Sequence, residues 1–141
     1  RCQRSHTVTE QDLQLFAAVS GDRNPVHLDA DYAATTPFKG QIAHGMFTGA
    51  LISAALAMDL PGPGTVYLGQ NLSFRKPVMI GDELTVILEV TAKHESKPIV
   101  TLGCTVTNQD GKVVATGEAT VMAPTEKMTV PVPALPAIQI G

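Results

Sequence analysis

A carboxylate and an imidazole five residues apart, Asp22 and His27, stand in the segment Ser20-Gly21-Asp22-Arg23-Asn24-Pro25-Val26-His27, and seventeen residues past His27 comes a His44-Gly45-Met46 triplet. Aimed at one point, such a pair could hold a water molecule between its two polar groups. A continuous helix would turn side chains five apart well away from each other, and a strand would send them to opposite faces. Pro25 removes a backbone donor and pushes Asn24 toward extended geometry. The segment therefore reads as a shaped loop, not regular structure, able to aim Asp22 and His27 at one point. Gly, Asp, Asn and Pro are also the commonest turn formers, and the dipeptides alone would suit a plain connector. His27, with a His-Gly pair opening an apolar run, favours the chemical reading.

The flanking pattern supplies the elements that must hold this loop. Thr9-Glu10-Gln11-Asp12 reads as a capped helix start, with Leu13, Phe16 and Ala17 at helical spacing and an end near Gly21. Asp31 to Thr35 suits a short helical turn closed by Pro37. Met46 to Met58 is apolar almost all round, as a buried helix is, and Gly49, Ala50, Ser53, Ala54 and Ala57 give it a small-residue face. Pro61-Gly62-Pro63-Gly64 stops it. From there the period changes to two. Strands are expected over Thr65 to Phe74, through Leu84, Val86, Leu88 and Val90, over Ile99 to Asn108, and over Val113 to Met122, with Asp110-Gly111 as a hairpin turn. One apolar helix followed by consecutive strands means α+β with an antiparallel sheet, and a sheet curled around that helix would bury all its faces. Residues 7–123 make one domain, and 124–141, with four of the ten prolines, an extended tail against the surface.

Composition narrows the function classes. At 141 residues and 14.8 kDa the chain suits one domain, and 44% hydrophobic against 16% charged residues is globular. A net charge of −3 without a clustered Lys/Arg face argues against nucleic acid as partner. The longest apolar run is too short to span a bilayer. No basic, apolar leader opens the chain, although Arg1 suggests a trimmed start, and a cytoplasmic location is expected. Cys2, in a frayed end, and Cys104, in a strand, read as ordinary thiols. Asp22, His27 and His44 could serve zinc, but no H-x₃-H or Cys pair supports it, so no metal is expected. His6 and His94 read as isolated surface residues.

Taken together, Ser20–His27, Ile42-Ala43-His44-Gly45-Met46, Tyr67-Leu68-Gly69-Gln70-Asn71-Leu72-Ser73-Phe74-Arg75-Lys76-Pro77-Val78 and Gly81-Asp82-Glu83-Leu84 resemble the (R)-specific enoyl-CoA hydratases of the MaoC-like type, over about Thr7 to Ala123. The relatives that supply polyhydroxyalkanoate synthesis are the nearest in kind. The resemblance implies a hot-dog fold and a homodimer with active sites near the subunit interface. It implies reversible addition of water to a trans-2-enoyl-CoA, giving an (R)-3-hydroxyacyl-CoA and linking fatty-acid β-oxidation to polyester synthesis. No separate cofactor is needed, coenzyme A being part of the substrate. Asp22 and His27 match the catalytic pair, and Gly45 the residue whose amide binds the thioester oxygen. A helix's first amides are unpaired and partly positive, and glycine admits close approach.

Asn24, His44 and Ser53 are expected in the substrate site, Ser53 because it matches a serine of the family's active sites, Asn24 with a plain turn residue as its alternative. Asn24 would brace the loop, and His44 would touch substrate or cap the helix. Ser53 lies eight residues of helix beyond Gly45, roughly 12 Å, too far for the same oxygen but placed for the pair or the acyl path. Lys39, Arg75 and Lys76 are candidates for the CoA phosphates. Three rivals keep the fold. A thioesterase would want a carboxylate on the central helix, and Met46 to Met58 has none. A dehydratase acting on acyl-carrier protein shares the chemistry. A non-catalytic acyl-binding or dimerisation module would not need Asp22 and His27 intact.

Overall fold

Thr9 opens the first helix with a reciprocal box: its hydroxyl accepts from the Asp12 amide, and the Asp12 carboxylate accepts from the Thr9 amide. Two otherwise orphaned donors are satisfied there. Helix α1 (Glu10–Ser20) closes on Gly21, whose φ of 81° is the left-handed cap that only glycine adopts freely. The computed structural model describes residues 1–126 and 129–140. After α1 come two short helical turns, α2 (Pro25–Leu28) and α3 (Ala30–Ala34), and then the long α4 (Gly45–Met58). Strands β1 (Cys2–Thr7), β2 (Val66–Phe74), β3 (Glu83–Lys93), β4 (Ile99–Thr107) and β5 (Val113–Met122) form one sheet in the order β1-β3-β4-β5-β2. Every neighbouring pair is antiparallel. This is the α+β, hot-dog arrangement that the sequence implies.

The core is the alternating face of the sheet closed by α4. Leu84, Val86 and Leu88 of β3, Leu102, Cys104 and Val106 of β4, and Ala119 and Val121 of β5 pack with Ile52, Ala55 and Leu56. A period of two in the strands thus meets one helix at the sheet's centre.

Three expectations need correction. Cys2 is not in a frayed end: β1 pairs with β3 along its length, Cys2 opposite Leu88 and Thr7 opposite Glu83. Its sequence shows no apolar alternation because an edge strand is held by its backbone ladder. Nor are all faces of α4 buried. Met46 is 60% exposed and Ala50 is exposed, since one chain's sheet covers only one side. The neighbouring edge strand β2 likewise leaves Val66, Tyr67, Leu68 and Phe74 exposed. Finally, His6 is no isolated surface residue. Its Nε2 lies 2.7 Å from the Asp12 carboxylate and its ring faces Phe47, tying β1 to α1. His94 is exposed, as expected, and accepts from the Ser96 and Lys97 amides.

Both cysteines are free, Cys104 buried and Cys2 half-buried. Among the described residues no helix is long and apolar enough to cross a membrane. Beyond Ala123 the described chain has no regular structure, and Ile138 and Ile140 line one hollow with Leu15, Phe16 and Val19 of α1. Positions 127, 128 and 141 of the expected tail lie outside the described residues.

Ile52 is fully buried between helix and sheet. Ile52→Ala is expected to lower unfolding stability by about 2–5 kcal/mol in urea titrations. Val19→Ala, at a position 82% exposed, should change it by less than about 0.5 kcal/mol.

Candidate active site

The loop between α1 and α2 is stiffened by a ladder of short side-chain turns. The Ser20 hydroxyl accepts from the Asp22 amide at 3.1 Å, the Asp22 carboxylate from the Asn24 amide at 3.2 Å, and the Asn24 carbonyl from the Val26 amide at 3.1 Å. Asn24 is the N-cap of α2, and Pro25 takes the first helical position, where a missing N–H is not needed. The sequence read this segment as a loop throughout; in the structure residues 21–24 have no regular structure and Pro25–Leu28 make one helical turn. That change of geometry is what brings a five-residue step back on itself.

Asp22 Oδ2 and His27 Nε2 face each other at 3.7 Å. The acid is half open, with 52% of its side chain exposed, while His27 is buried. His27 Nδ1 lies 2.7 Å from the carbonyl of Ile42. A carbonyl can only accept, so Nδ1 carries the hydrogen, and in the neutral ring Nε2 offers a lone pair. Two acceptors therefore confront each other at a spacing too long for a direct bond. A water placed between them can donate one hydrogen to each. Gln41 Nε2 donates to the His27 carbonyl at 2.7 Å and steadies the turn from below. Neither Ile42 nor Gln41 was visible as a site residue in the sequence, since one acts through its backbone and the other through the fold.

His44 is the N-cap residue of α4, but its side chain makes no capping bond. Instead Nε2 lies 2.9 Å from the backbone carbonyl of Asp22, and the ring stacks on His27 with centroids 3.8 Å apart and planes 23° from parallel. The Phe16 ring also packs against that of His44, 5.0 Å away and tilted by 52°. Capping, one of the two roles expected for His44, is thus not what its side chain does.

Gly45 begins α4, where its amide has no partner within the helix. A Cβ placed on it would meet the Phe74 ring at 3.4–3.6 Å, an ordinary contact. Glycine is therefore not demanded by the free chain's own packing. Beside it is a hollow of about 350 Å³ lined by His44, Gly45, Thr48, Phe74, Arg75 and Lys76. Arg75 and Lys76 thus line the same hollow as Gly45, and Lys39 does not. Ser53 belongs elsewhere: it is half-buried and lines an apolar hollow of about 510 Å³ between α4 and β2, with Met46, Gly49, Tyr67 and Leu72 among its neighbours.

Asp22, His27 and His44 do gather, their donor atoms within 4.8 Å of one another. The rings' near-parallel stacking, however, points their in-plane lone pairs side by side and not at one centre, as a tetrahedral ion requires. The sequence analysis named this trio without a short motif to support it, because the fold and not the spacing assembles it.

Residues 1–112 match the MaoC like domain. The chain is 50% identical to an (R)-specific enoyl-CoA hydratase of Aeromonas caviae, over 80% of this chain and 84% of that one. It is 51% identical to an (R)-specific enoyl-CoA hydratase of Rhodospirillum rubrum, over 84% and 81%. Among solved structures, an unliganded R-hydratase of Pseudomonas aeruginosa superposes with a TM-score of 0.96 at 60% identity, covering 99% of this chain and 90% of that one.

Gly45→Ala should leave the melting temperature unchanged or slightly raised, because alanine is the better helix former and its methyl meets only ordinary contact. A thermal scan showing clear destabilisation would mean that the glycine serves packing.

Proposed function

The chain belongs to the MaoC-like domain family, and on that footing we propose that it is an (R)-specific enoyl-CoA hydratase, a hydro-lyase adding water reversibly to trans-2-enoyl-CoA. The observation that carries the reading is the pair of acceptors, Asp22 Oδ2 and His27 Nε2, facing each other at 3.7 Å, with His27 stacked on the residue that precedes Gly45 at the start of α4.

A water held by both acceptors keeps its oxygen lone pairs for C3 of the substrate. As the O–C3 bond forms, one proton passes to Asp22, and the electron pair of the double bond moves toward the thioester oxygen. The Gly45 N–H, at the positive end of α4, stabilises the negative charge developing there. The pair then returns the proton to C2, with His27 as relay, so water is consumed whole and the enzyme is unchanged. Because donor and acceptor lie on one side of the substrate, H and OH add to the same face. In reverse, the same groups expel water.

Asn24 braces the loop through the Val26 amide. Ser53 takes a place along the acyl path, its hollow being mostly apolar in lining. Arg75 and Lys76 supply the positive charge that CoA phosphates require despite an acidic chain. CoA enters as part of the substrate, and no further cofactor takes part. Met46 of α4 and Tyr67 and Leu68 of β2 are exposed around one hollow, a surface suited to a second copy, which supports a homodimer; the likeness to (R)-specific hydratases, and nothing in this surface, supports a cytoplasmic location and polyester-precursor supply as the physiological outlet.

Asp22→Asn, nearly isosteric, is expected to cut kcat for crotonyl-CoA about 10²–10⁴-fold with circular dichroism unchanged. The enoyl absorbance reports the rate, and chiral analysis must give the (R)-product. Undiminished turnover would remove the reading. Sedimentation should return twice the 14.8 kDa chain mass; a monomer at micromolar concentration would refute the dimer.

A further inference from the structure

We infer that His44 is a positioning residue that fixes the acid of the pair relative to the oxyanion amide, acting in turnover through this tie although its ring also borders the hollow beside Gly45. The inference rests on the hydratase reading and deepens it.

Within the segment Gly21–Asn24, every hydrogen bond among the described residues is to a near neighbour in sequence except one, the His44 Nε2 bond to the Asp22 carbonyl, 22 residues away. Without it, the half-exposed acid loop is tied only to itself. His44 is also the residue immediately before Gly45. One side chain thus joins the backbone of the base to the start of the helix whose first amide receives the developing charge. The separation between the attacked carbon and the thioester oxygen is fixed by the substrate. The enzyme's two matching groups therefore need a fixed separation too, and this bond spans it.

The ring's other nitrogen makes the case sharper. The carbonyl of Asp22 can only accept, so Nε2 carries the hydrogen and Nδ1 a lone pair. Nδ1 is buried and has no partner among the described residues. An apolar ring would fill the same space against Phe16 and His27 without stranding a buried acceptor. What histidine adds over such a ring is the donor to Asp22. Its flat face, 3.8 Å from His27, holds that ring in the plane set by the Ile42 carbonyl.

The test compares His44→Phe, which keeps the flat ring and loses the donor, with His44→Gln, whose Nε2 reaches about as far as the lost nitrogen. Sub-ångström misplacement of reacting groups is felt in turnover, so His44→Phe is expected to lower kcat for crotonyl-CoA by about 10–100-fold. KM should stay within about threefold, because the tie places reacting groups and does not bind substrate. His44→Gln should recover most of the lost kcat. Unchanged kcat in His44→Phe, a loss carried by KM, or no rescue by glutamine would each overturn the inference. Should His44→Phe fail to fold, nitrogen chemical shifts of histidine-labelled native protein decide: neutral His44 is expected as the Nε2–H tautomer, and an Nδ1–H tautomer refutes the tie. If the native protein does not hydrate enoyl-CoA at all, the hydratase reading falls, and the tautomer still reports on the bond by itself.

Discussion

The hydrogen bond from His27 Nδ1 to the carbonyl of Ile42 is the constraint on which the site turns. It decides which nitrogen of the ring bears the proton, and so turns an aromatic side chain into an acceptor aimed at a carboxylate. Were the tautomer reversed, Nε2 would donate directly toward Asp22 and leave little use for a water between them. The bond in turn needs residues 41–43 held firmly. They are: the Ile42 amide donates to the Val26 carbonyl, Ala43 to Val78, and Ile42 bridges Met79. The catalytic geometry is thus anchored on a stretch with no chemistry of its own.

Around that anchor the fold divides its labour. The sheet and α4 supply rigidity, with the largest side chains sealed between them. The acid sits on the opposite sort of structure, a solvent-facing loop shaped by Asn, Asp and Ser side chains that bond their own backbone. A buried carboxylate would need its charge compensated in place, whereas this one keeps half of its surface in water and borrows order from the imidazoles behind it.

Much of this was legible in the sequence. The Thr9–Asp12 box, the stop at Gly21, the strand over Val113 to Met122 and the Asp22–His27 pairing each follow from local rules of capping, turn chemistry and periodicity. What escaped were features decided by partners distant in the chain. Strand β1 has no apolar rhythm, so only its pairing with β3 reveals it. The exposed side of α4 looks buried in sequence because apolar content cannot say whether this chain or another covers it. His44 looked like a cap or a ligand contact because adjacency to Gly45 was all the sequence offered. Its bond to Asp22 exists only after α1 and α4 pack.

Cys104 lies mid-strand in β4, opposite Leu88 on one side and Gly117 on the other. Burial drives its thiol above the ordinary cysteine range, so at neutral pH it stays protonated and unreactive. Electrophiles and mild oxidants will reach its sulfur only when the core between α4 and the sheet opens. The native protein therefore carries an internal clock: the rate at which Cys104 is alkylated measures how often that packing is breached.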